Sequence, residues 1–315
     1  MRKGIETPDF FLVGAPKCGT TALDSYLDAH PEIFMALQKE SHHFATDLTD
    51  ERDKYRSREA YLELFRGAEG ARRVGESSVF YLYSRAAAEA IKALRSDARI
   101  IVMLRNPLTM IPSLHSENLF SGYEVEKDLA HALDAEDSRL AIMSKQRELR
   151  IPERLLYRRI ADYAPQLARF FGAFGRERVK VVLYEDFAAN VAQVYRDVLQ
   201  FLGVDTEFET AFPIINANKV PRTSLLATLL WRPPRILQRA WRGLGLPSSL
   251  QRGLRKRLVR LNARKTPRAR LSAALESRIR EEMAPPVARL EQLLGRNLSV
   301  WPEFSRAEMS GEGAP

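Results

Sequence analysis

Cysteine is almost missing from this chain: Cys18 is the single one in 315 residues. That excludes an intrachain disulfide and any zinc site built on cysteine. Histidine is scarce as well, at five residues, and none stands in a ligand spacing such as H-E-x-x-H, so no metal is expected. Long apolar runs are absent. The run near the start, Phe10–Ala15, is too short for a signal-peptide core or a membrane span. No later stretch reaches the roughly 18 apolar residues that a spanning helix needs. The expectation is a soluble protein of a reduced, cytoplasmic compartment. No internal repeat is visible, and a composition of 45% hydrophobic and 28% charged residues is that of a globular protein with its own core. The length suits a single α/β domain over 1–315, with a disordered tail at about 305–315.

Acidic residues are missing from one long stretch. Between residues 210 and 275 there is no Asp or Glu, while 15 Lys and Arg fall there. The stretch therefore carries +15, and against a whole-chain charge of +9 the remainder carries −6. It is also apolar, with Leu225, Leu226, Trp231, Ile236 and Trp241 among its residues. Basic and apolar together predict amphipathic helices over 225–265, in a helical excursion at about 223–270. They would lie beside an acceptor cleft and make peripheral contact with an anionic membrane face. Pro233-Pro234 and the Gly243, Gly245, Pro247 group break the run into short pieces. The plainer alternative is a set of helices docked on the acidic body of the protein. Nucleic acid is not expected as a partner.

Elsewhere strands alternate with helices. Phe10–Gly14 is a continuous apolar run and reads as a buried strand, followed by a helix from Thr21 to about Ala29 that Thr20 can cap. Arg72–Ser77, Arg99–Leu104 and Val179–Tyr184 read as further strands, with helices over Ser84–Leu94, Thr109–Phe120, Phe187–Leu202 and Leu271–Leu294. Tyr163, Leu167, Phe170, Phe171 and Phe174 recur at helical spacing, which predicts a buried stripe. The pattern implies a P-loop-containing, nucleotide-binding type of α/β fold, its central, mostly parallel sheet flanked by helices.

The turn after the first strand reads Gly14-Ala15-Pro16-Lys17-Cys18-Gly19-Thr20-Thr21. A strand–loop–helix turn of this kind aims successive backbone N–H groups at one point and adds the positive end of a helix there, which makes an anion cradle. The triphosphate-binding version, G-x-x-x-x-G-K-[ST], has lysine where this chain has Thr20. The remaining lysine, Lys17, lies inside the loop, and the strand from Arg99 ends in Arg105-Asn106-Pro107 without a carboxylate for Mg²⁺. ATP or GTP fits poorly, and a compact, less charged anion fits better. A glycine turn with no ligand is the alternative. Arg105 at a strand end and Ser113 early in the next helix form a second anion site on the same sheet edge, implying a ligand with two separated anionic groups. A surface arginine at a strand end is the plain reading of Arg105 by itself.

The loop Pro16-Lys17-Cys18-Gly19-Thr20-Thr21, the later R-N-P-x₅-S and the intervening Lys39-Glu40-Ser41-His42-His43-Phe44 resemble the sulfotransferases that use 3′-phosphoadenosine 5′-phosphosulfate (PAPS). The carbohydrate-type branch is the most similar, including the heparan sulfate enzymes and their bacterial relatives. Val182-Leu183-Tyr184-Glu185-Asp186-Phe187 and the end, from Leu290 to Trp301, follow the same pattern. The resemblance implies that Lys17, Cys18, Gly19, Thr20 and Thr21 hold the 5′-phosphosulfate, and that Arg105 and Ser113 hold the 3′-phosphate. It further implies that Glu40 is the general base, that His42 stands beside it, and that Arg222 belongs to a basic loop closing over the donor. No metal is required, and adenosine 3′,5′-bisphosphate is the product. The chain departs from some heparan enzymes, which have Arg at the position of Thr21 and Asp at that of Ala45, so a different acceptor is implied.

The expected reaction is in-line transfer of the sulfo group to a hydroxyl, with an amine ranking second, on a small-molecule, glycan or glycolipid acceptor. Lys17 would stabilise charge growing on the bridging oxygen, and Glu40 would take the acceptor's proton. A surface carboxylate paired with Lys39 is the alternative for Glu40, with His42 or His43 as base. The alternatives for the whole chain are a P-loop small-molecule kinase and a non-enzymatic membrane- or polyanion-binding module organised by residues 210–275. Glu185-Asp186 and His43-Phe44 read as structural.

Overall fold

The computed structural model describes residues 7–51, 53–143, 150–213 and 270–304, together with the backbone of two short strands at 219–221 and 263–265. Five parallel strands form the sheet: β1 (Phe10–Gly14), β2 (Ile33–Met35), β3 (Arg73–Ser77), β4 (Arg99–Leu104) and β5 (Val179–Leu183), in the order β2-β3-β1-β4-β5. β1 is buried at every position, and the run Ile100–Leu104 has no exposed surface. Strands covered on both faces read as continuous apolar runs, which is why both were visible in the sequence.

Because β3 and β4 flank β1, the chain changes direction across the sheet there. The turns that leave the carboxyl ends of β1, β3 and β4 therefore open onto one crevice, the usual binding position in open α/β sheets. Helices α1 (Thr20–Asp28), α2 (Arg58–Leu62), α3 (Ala87–Leu94) and α4 (Pro107–Phe120) alternate with the strands. After α4 come α5 (Leu129–Asp134), α6 (Glu136–Ile142), α7 (Tyr157–Ala161) and α8 (Tyr163–Phe174), and β5 leads into α9 (Tyr184–Ala189) and α10 (Val191–Leu202). The final helix, α11 (Ala273–Leu294), packs on α8. β6 (Lys219–Pro221) and β7 (Ala263–Lys265) pair antiparallel, and β6 runs against α4.

Three readings of the sequence are corrected. Gly19, with φ 90°, takes the N-cap position of α1, and Thr20 is its first helical residue with no capping bond. The helix expected over Phe187–Leu202 is two, because Asn190 leaves helical geometry and its side chain accepts from the Gln193 N–H, starting α10 anew. Tyr184 belongs to α9 and not to β5. The stripe on α8 is confirmed: Tyr163, Leu167, Phe170 and Phe174 are buried, and Phe171 packs at the margin. Most of the basic 210–275 segment, with the helices expected over 225–265, lies outside the described residues. The tail at 305–315 lies outside them too. No helix among the described residues is long and apolar enough to cross a membrane.

Candidate active site

Gly14 opens the loop after β1 with φ 145°, and a Cβ there would come within 2.4 Å of the Val79 carbonyl oxygen. That close approach requires glycine and locks the β1 loop against the one that follows β3. From Lys17 to Thr21, five successive backbone N–H groups donate to no carbonyl or side chain among the described residues. A helix start leaves its first N–H groups without intrahelical partners, and here they follow directly on the open N–H groups of the loop, an arrangement suited to an anion. Lys17 has φ 63° and sends its Nζ to Glu117 Oε2 on α4, 3.1 Å away. Cys18 faces the opposite way: its thiol is buried, donates to the Pro16 carbonyl, and is pushed up to about 12 by burial. Its side chain is therefore packing, and only its backbone N–H faces the cradle.

Arg105 stands where β4 ends. Its Nε donates to Thr109 Oγ1 (2.9 Å), its Nη1 donates to the Lys17 carbonyl (3.2 Å), and its guanidinium lies 4.3 Å above the Tyr184 ring. The arginine is thus tied to the phosphate-type loop and not loose on the surface. Ser113 requires a correction: it is the seventh residue of α4, in the second turn, and buried, so it is not at the positive helix end. Its placement still fits the site. Thr109, Ser113 and Glu117 are spaced by four and share one face of α4, with Thr109 held by Arg105 and Glu117 holding Lys17. Arg222 lies outside the described residues; the strand β6 that precedes it runs along α4.

Glu40 and His42 come from the loop after β2, and both have positive φ, 60° and 52°. Neither is glycine, so each carries backbone strain of about 1–3 kcal/mol that the surroundings must impose. The imposing contacts are visible. Glu40 N–H donates to the Ser77 carbonyl, and Glu40 Oε2 accepts from the Val79 N–H at 3.2 Å and lies 3.1 Å from His42 Nε2. Burial pushes the Glu40 carboxyl up most strongly, but the His42 hydrogen bond and charge, Lys39 and the Val79 amide together hold it below its ordinary value. Glu40 is therefore an ionised acceptor of protons at neutral pH. Lys39 does not neutralise it directly, since its Nζ pairs with Asp24 at 3.4 Å. His43 stacks on Tyr61 and bonds the Tyr55 carbonyl, and Glu185 accepts from Asn106 N–H and Trp301 Nε1; both are structural, as expected.

Three residues of the site were not legible in the sequence. Glu117 is the ionic partner of Lys17, one hundred positions away. Glu76, in β3, is fully buried beneath the Glu40 loop and accepts from Ser78 Oγ (2.6 Å) and Ser41 Oγ (3.1 Å). Those hydroxyls in turn accept from the His42 and His43 N–H groups, so Glu76 holds the loop from below. Arg154 lies beyond Phe80, whose ring meets that of His42. A signal existed for Glu117 alone, its spacing of four from Ser113.

Fold and site define a parallel α/β protein with an anion cradle between β1 and α1 and a carboxylate–histidine pair beside it. The family model "Sulfotransferase domain" matches residues 7–220. The chain belongs to the sulfotransferase domain family. A crystal structure of a sulfotransferase from Alicyclobacillus acidocaldarius superposes with a TM-score of 0.70 at 30% identity, over 94% of this chain and 99% of that one. Carbohydrate sulfotransferase 15 of Mus musculus is 26% identical over 251 residues, covering 62% of this chain and 44% of that protein. Heparan sulfate glucosamine 3-O-sulfotransferase 6 of Homo sapiens is 31% identical over 112 residues, 36% of this chain and 31% of that protein. The chain spans less than half the length of the curated relatives it matches.

Proposed function

We propose that this protein is a PAPS-dependent sulfotransferase that acts on a hydroxyl of a small-molecule, glycan or glycolipid acceptor. The observation that carries the reading is the open cradle of Lys17–Thr21 N–H groups with Arg105 bonded to the same loop. A ligand with a phosphosulfate at one end and a 3′-phosphate a ribose away fits two such cationic loci. The cradle N–H groups and Lys17 would hold the 5′-phosphosulfate, and Arg105 with Ser113 the 3′-phosphate; Arg222, following β6, is proposed to close over it. When bound, PAPS supplies an electrophilic sulfur whose leaving group is the 5′-phosphate of adenosine 3′,5′-bisphosphate.

The chain's own residues do the rest. Lys17 and the cradle N–H groups neutralise charge as it grows on the bridging oxygen, so they bind the transition state more tightly than the ground state. Glu40 accepts the proton of the attacking hydroxyl. His42, itself buried, fixes the Glu40 carboxylate by the 3.1 Å contact of its Nε2. Lys17 faces two anions, the Glu117 carboxylate now and the donor's phosphosulfate when it binds, so Glu117 keeps the free lysine aligned across the cradle mouth. No metal takes part in this scheme, and the protein is proposed to work in the cytoplasm.

The reading is tested by thermal unfolding with adenosine 3′,5′-bisphosphate in the absence of Mg²⁺. At a hundredfold excess over its Kd the nucleotide should stabilise the protein by about 2.7 kcal/mol. Equal stabilisation by ATP with Mg²⁺ would favour a kinase instead. Incubation with PAPS and a panel of glycans, glycolipids and phenols, read by mass for an added sulfo group, then identifies the acceptor class.

A further inference from the structure

Arg154 is a part-buried cation without an ionic partner among the described residues, in a neighbourhood where other part-buried arginines have one. Arg139 pairs with the buried Glu124 at 2.7 Å, and Arg158 pairs with the buried Glu136 at 3.5 Å and with Glu282 at 3.2 Å. The Arg154 guanidinium donates from Nε to Asn118 Oδ1 at 2.8 Å, and its terminal nitrogens donate to no described residue. It lies face-on over the Tyr123 ring at 3.6 Å and beside Phe80 at 5.7 Å. Burial weakens its hold on its proton, while Tyr123, Glu117 and Glu40 favour the charged form, which places it within electrostatic reach of both carboxylates of the site.

The support behind it is rigid. Asn118 is fully buried, and its Nδ2 donates to the Arg154 carbonyl at 3.0 Å, so the two residues clasp each other. Asn118 also reaches the Tyr157 hydroxyl, which donates to Glu124 Oε2. A scaffolding arginine here would spend its fork on a carboxylate, as Arg139 and Arg158 do, whereas the Arg154 terminal nitrogens are not among the buried atoms that lack a partner and so keep access to solvent. Here the scaffold fixes one edge of the fork and leaves the end-on edge open.

We infer that Arg154 anchors an acceptor subsite for a carboxylate, holding a hydroxylated sugar acid with its reacting hydroxyl at Glu40. The inference rests on the proposed sulfotransfer and names its acceptor class. The two terminal nitrogens of a guanidinium match the two oxygens of a planar carboxylate. The ionised Glu40 and the nearby Glu117 repel a dianion more than a monoanion, which disfavours a phosphate monoester in this place. His42, Phe80 and Arg154 form a continuous wall from the base to the fork. A substrate spanning that wall is bound at one end and deprotonated at the other.

The test is calorimetric titration of the full chain, with adenosine 3′,5′-bisphosphate present, using phenyl β-D-glucuronide and phenyl β-D-glucoside. These probes differ in a carboxylate against a hydroxymethyl group. The wild-type protein should bind the glucuronide at least tenfold more tightly. Arg154→Gln should bring the two affinities within about twofold, and Arg154→Lys, which keeps the charge and loses the fork, should retain an intermediate preference. If the glutamine variant fails to fold, the lysine variant and the wild-type ratio still decide. Equal binding of both glycosides by the wild type, or binding of neither, overturns the inference. So does a loss of bisphosphate affinity in Arg154→Gln as large as the loss of glucuronide affinity, which would assign the arginine to the donor. Failure of the bisphosphate itself to bind refutes the proposed function, and the glycoside comparison without nucleotide then reads Arg154 alone.

Discussion

Replacing Glu76 by glutamine should remove a pH dependence of stability that this carboxyl imposes. Burial is the largest influence on it and pushes it up to about 7, against the hydroxyls of Ser78, Tyr81 and Ser41 and with help from the charge of Glu40. A carboxyl of ordinary value 4.5 that titrates near 7 in the fold binds more protons folded than unfolded between those values. Stability therefore falls as pH rises through that window, being fully present below the lower value and lost by the upper one. At about 1.4 kcal/mol per pH unit the whole effect is on the order of 3 kcal/mol, most of it between pH 5 and pH 8. Glutamine keeps an oxygen for Ser41 and Ser78 and cannot ionise. Its amide nitrogen takes the place of Oε2, which has no hydrogen-bond partner, and so adds a cost that does not vary with pH. Urea denaturation of both proteins at pH 5 and pH 8 separates the two effects. On going to the higher pH, Glu76→Gln should gain on the order of 2–3 kcal/mol relative to wild type, whatever its constant offset. Parallel pH profiles would refute the reasoning and mean that Ser41 and Ser78 keep the carboxylate ionised throughout.

Arg105→Ala should weaken adenosine 3′,5′-bisphosphate by about 1.5–3 kcal/mol in calorimetry, the range for a charge-assisted hydrogen bond. It should weaken adenosine 5′-monophosphate much less, with a small common loss because Arg105 also bonds the Lys17 carbonyl; equal losses would make the arginine structural. Glu40→Gln should lower kcat by about 10²–10⁴ while bisphosphate binding persists, and a variant of normal turnover would remove Glu40 as base. The basic 210–275 stretch should carry the protein to anionic vesicles in flotation at low salt and release it at higher salt, since each Lys or Arg near such a surface contributes about 1 kcal/mol. Recovery in the soluble fraction at both salt concentrations would count against a membrane contact.

What the sequence made legible follows from how local each feature is. β1 and β4 were visible because strands buried on both faces are unbroken apolar runs. The cradle was visible because its chemistry resides in one loop whose glycine spacing is itself the signal. The split at Asn190 was missed because the apolar spacing of Val191–Leu202 continues that of Phe187, and one side-chain bond to the Gln193 N–H decides the matter. Pro107 reads in the sequence as the end of the strand, with a helix from Thr109; it instead occupies the first helical position, which moves the start upstream and puts Ser113 in the second turn. Glu76 and Arg154 could not be found by pattern, and Glu117 only by its spacing of four from Ser113. Their roles arise from contacts that span 35 to 100 residues, such as Ser41 to Glu76 and Lys17 to Glu117.

Those long contacts converge on one element. Along α4, Thr109 holds Arg105, Glu117 holds Lys17 and Asn118 holds Arg154, so a single helix fixes the proposed donor cations and the proposed acceptor cation. From Thr109 to Asn118 a helix rises about 14 Å, which separates the partner of Arg105 from that of Arg154 along α4. The start of that helix is fixed three ways by Asn106. Its side chain accepts from the Leu108 N–H, its amide donates to Glu303, and its backbone N–H donates to Glu185. A shift of α4 by one residue would turn Thr109, Ser113 and Glu117 about 100° away from the cradle together. The proposed donor and acceptor cations are thus held on a helix whose start is fixed by one capping residue.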